Sequence, residues 1–164
     1  MRRIMLCLTL AAVACTRGPT DEPVDLPNVA PDTVVMAWSV TSRTSDRDSL
    51  HVVLEADRTL VVTNRTAEGT MMSVSRTVPE EEYANLVRTL RTLNCCSLQS
   101  STGARPSPVE AKPMLEINLG DVQCVIERWD SEWREGLARR CGFTVARFHG
   151  GGFVPDPPVD ETRP

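Results

Sequence analysis

Residues 79–94 read PEEEYANLVRTLRTLN, and this stretch decides the fold. Its apolar residues recur with the 3.6-residue period of an α-helix and therefore share one face: Tyr83, Leu86, Val87, Leu90 and Leu93. Pro79 suits the first turn of a helix, and the acidic run 80–82 complements the positive end of the helix dipole. The pattern predicts an amphipathic helix that ends near Asn94.

The sequence before this helix has the shorter period of β-strands. Apolar residues dominate 34–40, alternate with polar residues over 50–55 and return at 60–62. Residues 56–58 offer a tight polar turn between the last two runs, and alternation across such a turn indicates a β-hairpin. A fourth, less regular strand is expected over 71–78, so the first half of the domain is predicted to be a β-meander.

A second hairpin is predicted over 114–129, because Gly120-Asp121 supplies a two-residue turn with glycine first. This register pairs Leu119 with Val122, Ile117 with Cys124 and Leu115 with Ile126. Residues of such pairs point to the same side of a sheet. All six side chains are therefore expected on the core face.

A second helix is expected after this hairpin, because Trp133, Leu137 and Cys141 recur every four residues. Ser131 or Asp130 is predicted to cap it and Gly142 to stop it. Residues 143–148 are expected to pack back on the sheet. The predicted fold class is α+β: an antiparallel sheet of about five or six strands with two helices on one face, in the order β-meander, α, β-hairpin, α.

The N-terminus has the layout of a secretory signal. Arg2 and Arg3 precede an apolar run over 4–13, which is about ten residues and too short for a membrane-spanning helix of roughly 20. Residues 12–15 read AVAC and resemble the lipobox of bacterial lipoprotein precursors, although Ala12 stands where that family usually has Leu. The resemblance implies a signal peptide over 1–14 and a lipid anchor on Cys15. The alternative is an ordinary signal peptide.

The resemblance also implies a location. Lipoproteins of this kind lie in the cell envelope, and Thr16 after the cysteine favours the outer over the inner membrane by the sorting rule of some bacteria. Prolines recur every fourth residue from Pro19 to Pro31 among acidic residues, which predicts an extended tether over 15–32. The folded domain is predicted over 33–149 and a disordered tail over 150–164.

Export would leave four cysteines of the domain in an oxidising compartment: Cys95, Cys96, Cys124 and Cys141. Adjacent cysteines rarely bond to each other, so Cys124 and Cys141 are each expected to reach back to the corner at 95–96. Which of them takes which partner stays open. The alternative is one disulfide and two buried thiols.

Charge argues against nucleic acid as a partner. The whole chain has a formal net charge of −4, and residues 33–149 contain 14 basic and 15 acidic residues without a basic stripe. The membrane, reached through the lipid anchor, and a protein of the envelope are the expected partners. No cofactor is expected.

No catalytic set is evident. The string HGGG at 149–152 matches an oxyanion-hole motif of lipases, but the nucleophile motif that accompanies it is missing. The triplet at 46–48 lacks the glutamate that closes a calcium loop, and the cysteines lack zinc-site spacing. Trp129 and Trp133 would form a binding patch if exposed, although core packing is the favoured interpretation.

The sequence therefore predicts a non-enzymatic binding or structural module of the envelope. The order of strands, helix, hairpin and helix over 34–141 resembles emfourin-type metalloprotease inhibitors in layout. The resemblance implies an inhibitor of an extracytoplasmic protease, but it transfers no motif residue, and that family does not need these cysteines. The remaining alternative is a small hydrolase whose site the sequence does not reveal.

Overall fold

The computed structural model describes residues 26–41, 49–66 and 68–149. The predicted signal peptide, Cys15, the triplet at 46–48 and the tail over 150–164 lie outside this part of the chain. The described elements are β1 Val34–Thr41, β2 Ser49–Glu55, β3 Thr59–Arg65, β4 Met71–Thr77, α1 Glu80–Leu93, β5 Met114–Asn118, β6 Gln123–Glu127 and α2 Gly136–Ala146.

The six strands form one antiparallel sheet in the order β4-β3-β2-β1-β5-β6. The first four strands make the predicted meander, and the hairpin of β5 and β6 adds to the free side of β1. The predicted α+β class and its order of elements are thus confirmed. Because β1 pairs with β5, the strands at the two edges are β4 and β6.

The core lies on one face of this sheet. In β1, Met36, Trp38 and Val40 are buried, and their cross-strand neighbours Leu54 and Val52 lie on the same face. Buried residues of both helices belong to the same hydrophobic cluster: Tyr83, Leu86, Val87, Leu90, Ala138, Cys141 and Val145. Burial of this apolar surface is the main favourable contribution to folding.

Helix α1 has the predicted face and end. Tyr83, Leu86, Val87 and Leu90 are buried, and Leu93 packs against the core from a partly exposed position. Asn94 adopts the left-handed conformation with φ 52°, and its N–H donates to carbonyls of the last turn. Asparagine tolerates this conformation better than most residues, which is why the helix ends here.

The second hairpin has the predicted register. Leu115 pairs with Ile126 and Ile117 with Cys124, while the N–H of Leu119 donates to the carbonyl of Val122 at 2.9 Å. Gly120 has φ 86°, a value that residues with a Cβ rarely adopt. The glycine-first turn therefore fixes which side chains enter the core.

The predicted second helix is wrong in its bounds. Residues 130–134 form a separate 3₁₀ turn, Glu135 is extended, and α2 begins at Gly136, whose φ is 51°. Asp130 does not cap a helix: it lies inside the 3₁₀ turn, whose N-cap position is Trp129, and its carboxylate accepts a hydrogen bond from Arg134 at 2.9 Å. Ser131 also provides no side-chain cap.

The end of this helix also differs from the prediction. Helix α2 passes through Gly142 and continues to Ala146, so Gly142 does not stop it. Residues 143–148 pack back on the sheet in part, as expected: Val145 and Phe148 are buried in the core beside residues of the sheet, whereas Phe143 is 51% exposed on the helix surface.

The last residues of the predicted tether contact the folded domain. Val29 packs against the hydrophobic core, and the carbonyl of Pro31 accepts a hydrogen bond from the N–H of Asp57 at 3.0 Å. Within the described part of the chain, no helix is both long and apolar enough to cross a bilayer.

Candidate functional site

Strand β4 differs from the other five strands because all seven of its residues are exposed. Three of them are large and apolar: Met71 is 70% exposed, Met72 61% and Val74 63%. Single exposed apolar residues are ordinary on a protein surface, but a group of them on one strand indicates a contact surface.

The outer side of β4 presents backbone groups that pair with no described residue. The N–H of Thr66 donates to the carbonyl of Thr70, and the N–H of Val78 donates to that of Arg58, each at 2.9 Å. Because hydrogen-bonded pairs alternate along an antiparallel ladder, the even-numbered residues of β4 bond to β3. The odd-numbered residues therefore direct their N–H and C=O groups to the open edge: Met71, Ser73, Ser75 and Thr77.

The opposite edge of the sheet is partly covered by the loop before β5. The backbone of Glu127 in β6 accepts from the N–H of Ser101 at 2.8 Å, and its own N–H donates to Ser100 Oγ at 3.0 Å. Ser101 Oγ also accepts from the N–H of Trp129 and bonds to the carboxylate of Glu132. Among the described residues, no such segment covers β4.

Strand β4 also lacks the usual protection of an exposed edge. Natural edge strands carry charges, prolines or bulges that prevent pairing with another chain. Residues 70–75 contain no charged residue and no proline. The pairing of β4 with β3 is regular along its length and has no bulge. The one charged residue of the strand, Arg76, turns toward the helices.

Arg76 is the residue at which the helices stop covering the core face of β4. Its guanidinium lies 3.3 Å from a carboxylate oxygen of Glu82 in α1 and donates to the carbonyl of Phe148 at 3.2 Å. Val74 and Met72 lie on the same face of β4, beyond this contact, and are not covered by either helix. Strand β4 therefore combines an open backbone edge with a part of the core face that the helices do not cover.

A groove between α1 and α2 lies beside this contact. It has a volume of about 520 Å³, and its apolar lining residues include Leu86, Phe143 and Phe148. Glu81, Glu82 and Arg147 are among its polar lining residues, so the groove carries both signs of charge. Because Glu82 and Phe148 also contact Arg76, the groove extends the exposed surface of β4 toward the helices.

The two tryptophans considered as a binding patch lie inside the fold. Trp129 is 8% and Trp133 4% exposed, in agreement with the favoured interpretation of core packing. The rings of Trp133 and Trp38 meet edge to face with centroids 4.9 Å apart. Lys112 and Arg105 lie over the ring of Trp129, at 5.4 and 5.9 Å from its centroid, and shield it from solvent.

All four cysteines of the domain are in disulfides. Cys95 bonds to Cys141 of α2, and Cys96 bonds to Cys124 of β6. The expectation that both later cysteines reach back to the 95–96 corner is confirmed, and the alternative with two free thiols is wrong. Since these sulfurs are bonded to each other, they do not act as zinc ligands.

Three titratable groups whose pKa values are shifted lie in different parts of the described structure. The pKa of Asp121 is lowered by its bond to Arg91, and that of Glu110 by hydrogen bonds from Ser131. Burial raises the pKa of Tyr83. Within the described ranges no three or more metal-binding side chains cluster, and His51 is exposed on β2.

No protein-family model matches this sequence, and a search of curated proteins finds no match. The candidate site therefore stands on geometry alone. Sequence reasoning identified β4 as a strand but not as a surface. The sequence feature that indicates this surface is the run Met71-Met72-Ser73-Val74. It contains no charged residue and puts apolar side chains on both faces of the strand.

Proposed function

We propose that the chain is a lipid-anchored protein of the bacterial cell envelope that acts as a non-enzymatic protein-binding module. The binding surface is the β4 edge, defined as residues 71–77 with their outward backbone groups. The partner is an extended, largely uncharged protein segment that adds a strand to the sheet. The single observation that carries the proposal is the exposure of all of β4, including Met71, Met72 and Val74.

Strand addition is a common mode of peptide recognition and matches the geometry of this edge. Backbone hydrogen bonds to the edge supply affinity, and alternate side chains of the incoming strand meet the residues on each face. At β4 the outward groups of Ser73 and Ser75 would supply these bonds. Met72 and Val74 would meet apolar side chains on the helix side, and Met71 on the other side.

The location in the envelope is supported by the N-terminal sequence. A short apolar segment, the AVAC tetrad and the proline-rich tether follow one another in the order that an anchored protein needs. The two disulfides agree with export, because such bonds persist in oxidising compartments. Outer-membrane placement is part of the proposal and follows from Thr16.

The anchor is tested on the chain recovered from its native cell. Mass spectrometry of the mature N-terminus should find an acylated Cys15, and Cys15→Ser should release the protein from the membrane fraction. An unmodified cysteine in a cytosolic protein that keeps its leader would contradict the anchor.

The binding surface is tested with a photo-crosslinking amino acid placed in the full chain within living cells. At Ser73 we expect protein adducts, whereas the matched position Gln123 on β6 should give few. Adding Val74→Asp should remove the adducts, and Val125→Asp, an exposed valine on the other edge, should retain them. Equal adducts at both positions, or none at Ser73, would refute the β4 edge as the binding surface.

A second candidate is inhibition of an extracytoplasmic metalloprotease. The order meander, α1, hairpin, α2 is the layout that resembles emfourin-type inhibitors, and the β4 edge is a surface to which a partner protein can add a strand. The purified mature protein at micromolar concentration should then slow hydrolysis by a thermolysin-like protease, and Val74→Asp should relieve the effect. Unaffected hydrolysis would eliminate this candidate.

A further inference from the structure

The β4 edge has features of a surface that recognises itself. Its open side runs from Met71 to Thr77 without a charge before Arg76, so two copies would approach without like-charge repulsion at the centre. Of the four residues whose backbone groups face the open edge, the two nearest the centre of β4 are Ser73 and Ser75. Both have small side chains. At the symmetry axis of an antiparallel pair of identical strands, each side chain lies directly opposite its own copy, and a small residue fits there without a clash.

We propose that the segment bound at the β4 edge is β4 of a second copy, paired antiparallel about Ser73. The inference rests on the proposed function and names its partner. Each Ser73 then faces the other as a hydrogen-bonded pair, and Met71 faces Ser75. The two sheets join into one, with the helices of both copies on the same side.

The apolar side chains support this alignment. With Ser73 on the axis, Met72 of each copy lies opposite Val74 of the other, on the face that the helices leave uncovered. Four large exposed side chains would thereby cover one another. Moving the axis to Ser75 would instead place Val74 opposite Arg76, whose guanidinium is held by Glu82 and the Phe148 carbonyl.

The charges at the two ends of β4 also favour the antiparallel direction. Glu68 lies in the turn before the strand, and Arg76 lies near its other end. Antiparallel pairing brings the acidic end of each copy beside the basic end of the other. A parallel pair would place like charges together, which is unfavourable.

The contact is small. Seven residues a side are fewer than the 20 to 30 of a standard interface, so we expect a dimer of about micromolar affinity or weaker. A shared membrane anchor would raise the effective concentration of the two copies and compensate for this weakness.

The test uses full chains purified from membranes in detergent, carrying either Ser73→Cys or Ser75→Cys. Paired Ser73 residues should have Cα atoms about 5.5 Å apart, within the range for a disulfide. In the same alignment the two Ser75 residues are roughly 14 Å apart, too far to bridge. Mild oxidation with a copper–phenanthroline catalyst should therefore give a covalent dimer with Ser73→Cys and at least about tenfold less with Ser75→Cys.

Two further substitutions, each combined with Ser73→Cys, distinguish dimers formed by paired strands from dimers formed by random collision. Val74→Asp together with Ser73→Cys should lower dimer yield about tenfold, because a carboxylate would be buried against Met72. Val125→Asp together with Ser73→Cys should leave it unchanged. Circular dichroism should show both variants folded, since both valines are exposed. Self-pairing about Ser73 would be overturned by efficient dimer formation with Ser75→Cys or by no dimer with Ser73→Cys. It would also be overturned if Val74→Asp left the dimer yield of Ser73→Cys unchanged.

The outcomes distinguish this inference from the proposed function. If neither cysteine variant forms a covalent dimer, and the photo-adducts at Ser73 differ in mass from two chains, the partner is not a second copy. The β4 edge would then remain a protein-binding surface. Efficient Ser73 bridging in a chain whose Cys15 carries no lipid would keep the dimer and reject the anchor.

Discussion

Trp133 connects three parts of the fold through one side chain. It belongs to the 3₁₀ turn after β6, its ring centroid lies 4.9 Å from that of Trp38 in β1, and its ring faces Gly142 of α2. At 4% exposure it is a structural residue of the core, even though its spacing from Trp129 also fits a surface patch.

Replacing Trp133 with alanine should therefore lower the free energy of unfolding by about 3–5 kcal/mol, because it leaves a large cavity in the core. Phe143→Ala, at a ring that is 51% exposed, should cost less than about 1 kcal/mol. Urea denaturation followed by circular dichroism measures both. Similar losses for the two variants would contradict the assignment of Trp133 to the core.

Gly142 and Gly120 should respond oppositely to alanine. Gly142 lies within α2 at an ordinary φ, and an added Cβ would sit 3.5 Å from the Trp133 ring, so Gly142→Ala should stabilise the protein by about 0.5–1 kcal/mol. Gly120 has φ 86°, so Gly120→Ala should destabilise by about 1–2 kcal/mol. Thermal unfolding of the two variants beside wild type tests the difference in sign.

At the scale of elements, the end of α1 is joined to the second hairpin and to α2. Arg91 donates two hydrogen bonds of 2.8 Å to the carboxylate of Asp121 in the hairpin turn. The adjacent Cys95 and Cys96 then connect α1 to α2 and to β6. The corner after α1 is thus the point at which three elements are held together.

The Arg91–Asp121 pair predicts a pH effect. The hydrogen bond from Arg91 lowers the pKa of Asp121 below its ordinary value of 3.8. A lowered folded-state pKa contributes stability above the unfolded value, and this contribution is lost as the pH falls through the folded value. Arg91→Gln should raise the pKa of Asp121 in an NMR titration, whereas Arg88→Gln on the same helix should not. An unchanged pKa in Arg91→Gln would contradict this cause.

The two disulfides should open in a defined order. Cys95 and Cys141 are buried at 1% and 0% exposure, whereas Cys96 and Cys124 are only partly buried. A reductant needs access to a sulfur atom. Graded reduction, alkylation and peptide mass spectrometry should therefore find Cys96–Cys124 opening first. Simultaneous opening of both bonds, or the reverse order, would refute this prediction.

At the scale of the whole molecule, one sheet face and two helices enclose the core, and the disulfides close segments of 28 and 46 residues across it. Each crosslink is worth about 3–4 kcal/mol in the chain-entropy description. Together they contribute about 6–8 kcal/mol, which lies within the 5–15 kcal/mol by which domains are usually stable. We therefore expect the stability of the fold to depend on both bonds being oxidised.

Complete reduction should accordingly lower the melting temperature of the mature protein by more than about 15 °C, and a substantial fraction should unfold near 37 °C. Circular dichroism with and without reductant measures this, with alkylation to confirm that both bonds are open. A reduced protein that melts within a few degrees of the oxidised one would show that the core alone suffices.

Local pattern was enough to predict α1, the meander and the register of the second hairpin. A helix face, a strand alternation and a glycine-first turn each depend on residues close in sequence, so they can be read without the rest of the fold. The cysteines required one further step, because adjacent residues cannot easily bond to each other and both partners had to come from later elements.

Only the tertiary structure decided the features that depend on distant residues. The partner of Cys95 was set by the 3₁₀ turn that directs it to α2 and Cys96 to β6. The break at Glu135 is a local exception: Gly136 adopts a φ of 51°, and the four-residue spacing that continues through this position does not reveal the break. The exposure of β4 arose because the second hairpin pairs with β1 and leaves β4 at the edge, and no local pattern records which strand will lack a neighbour.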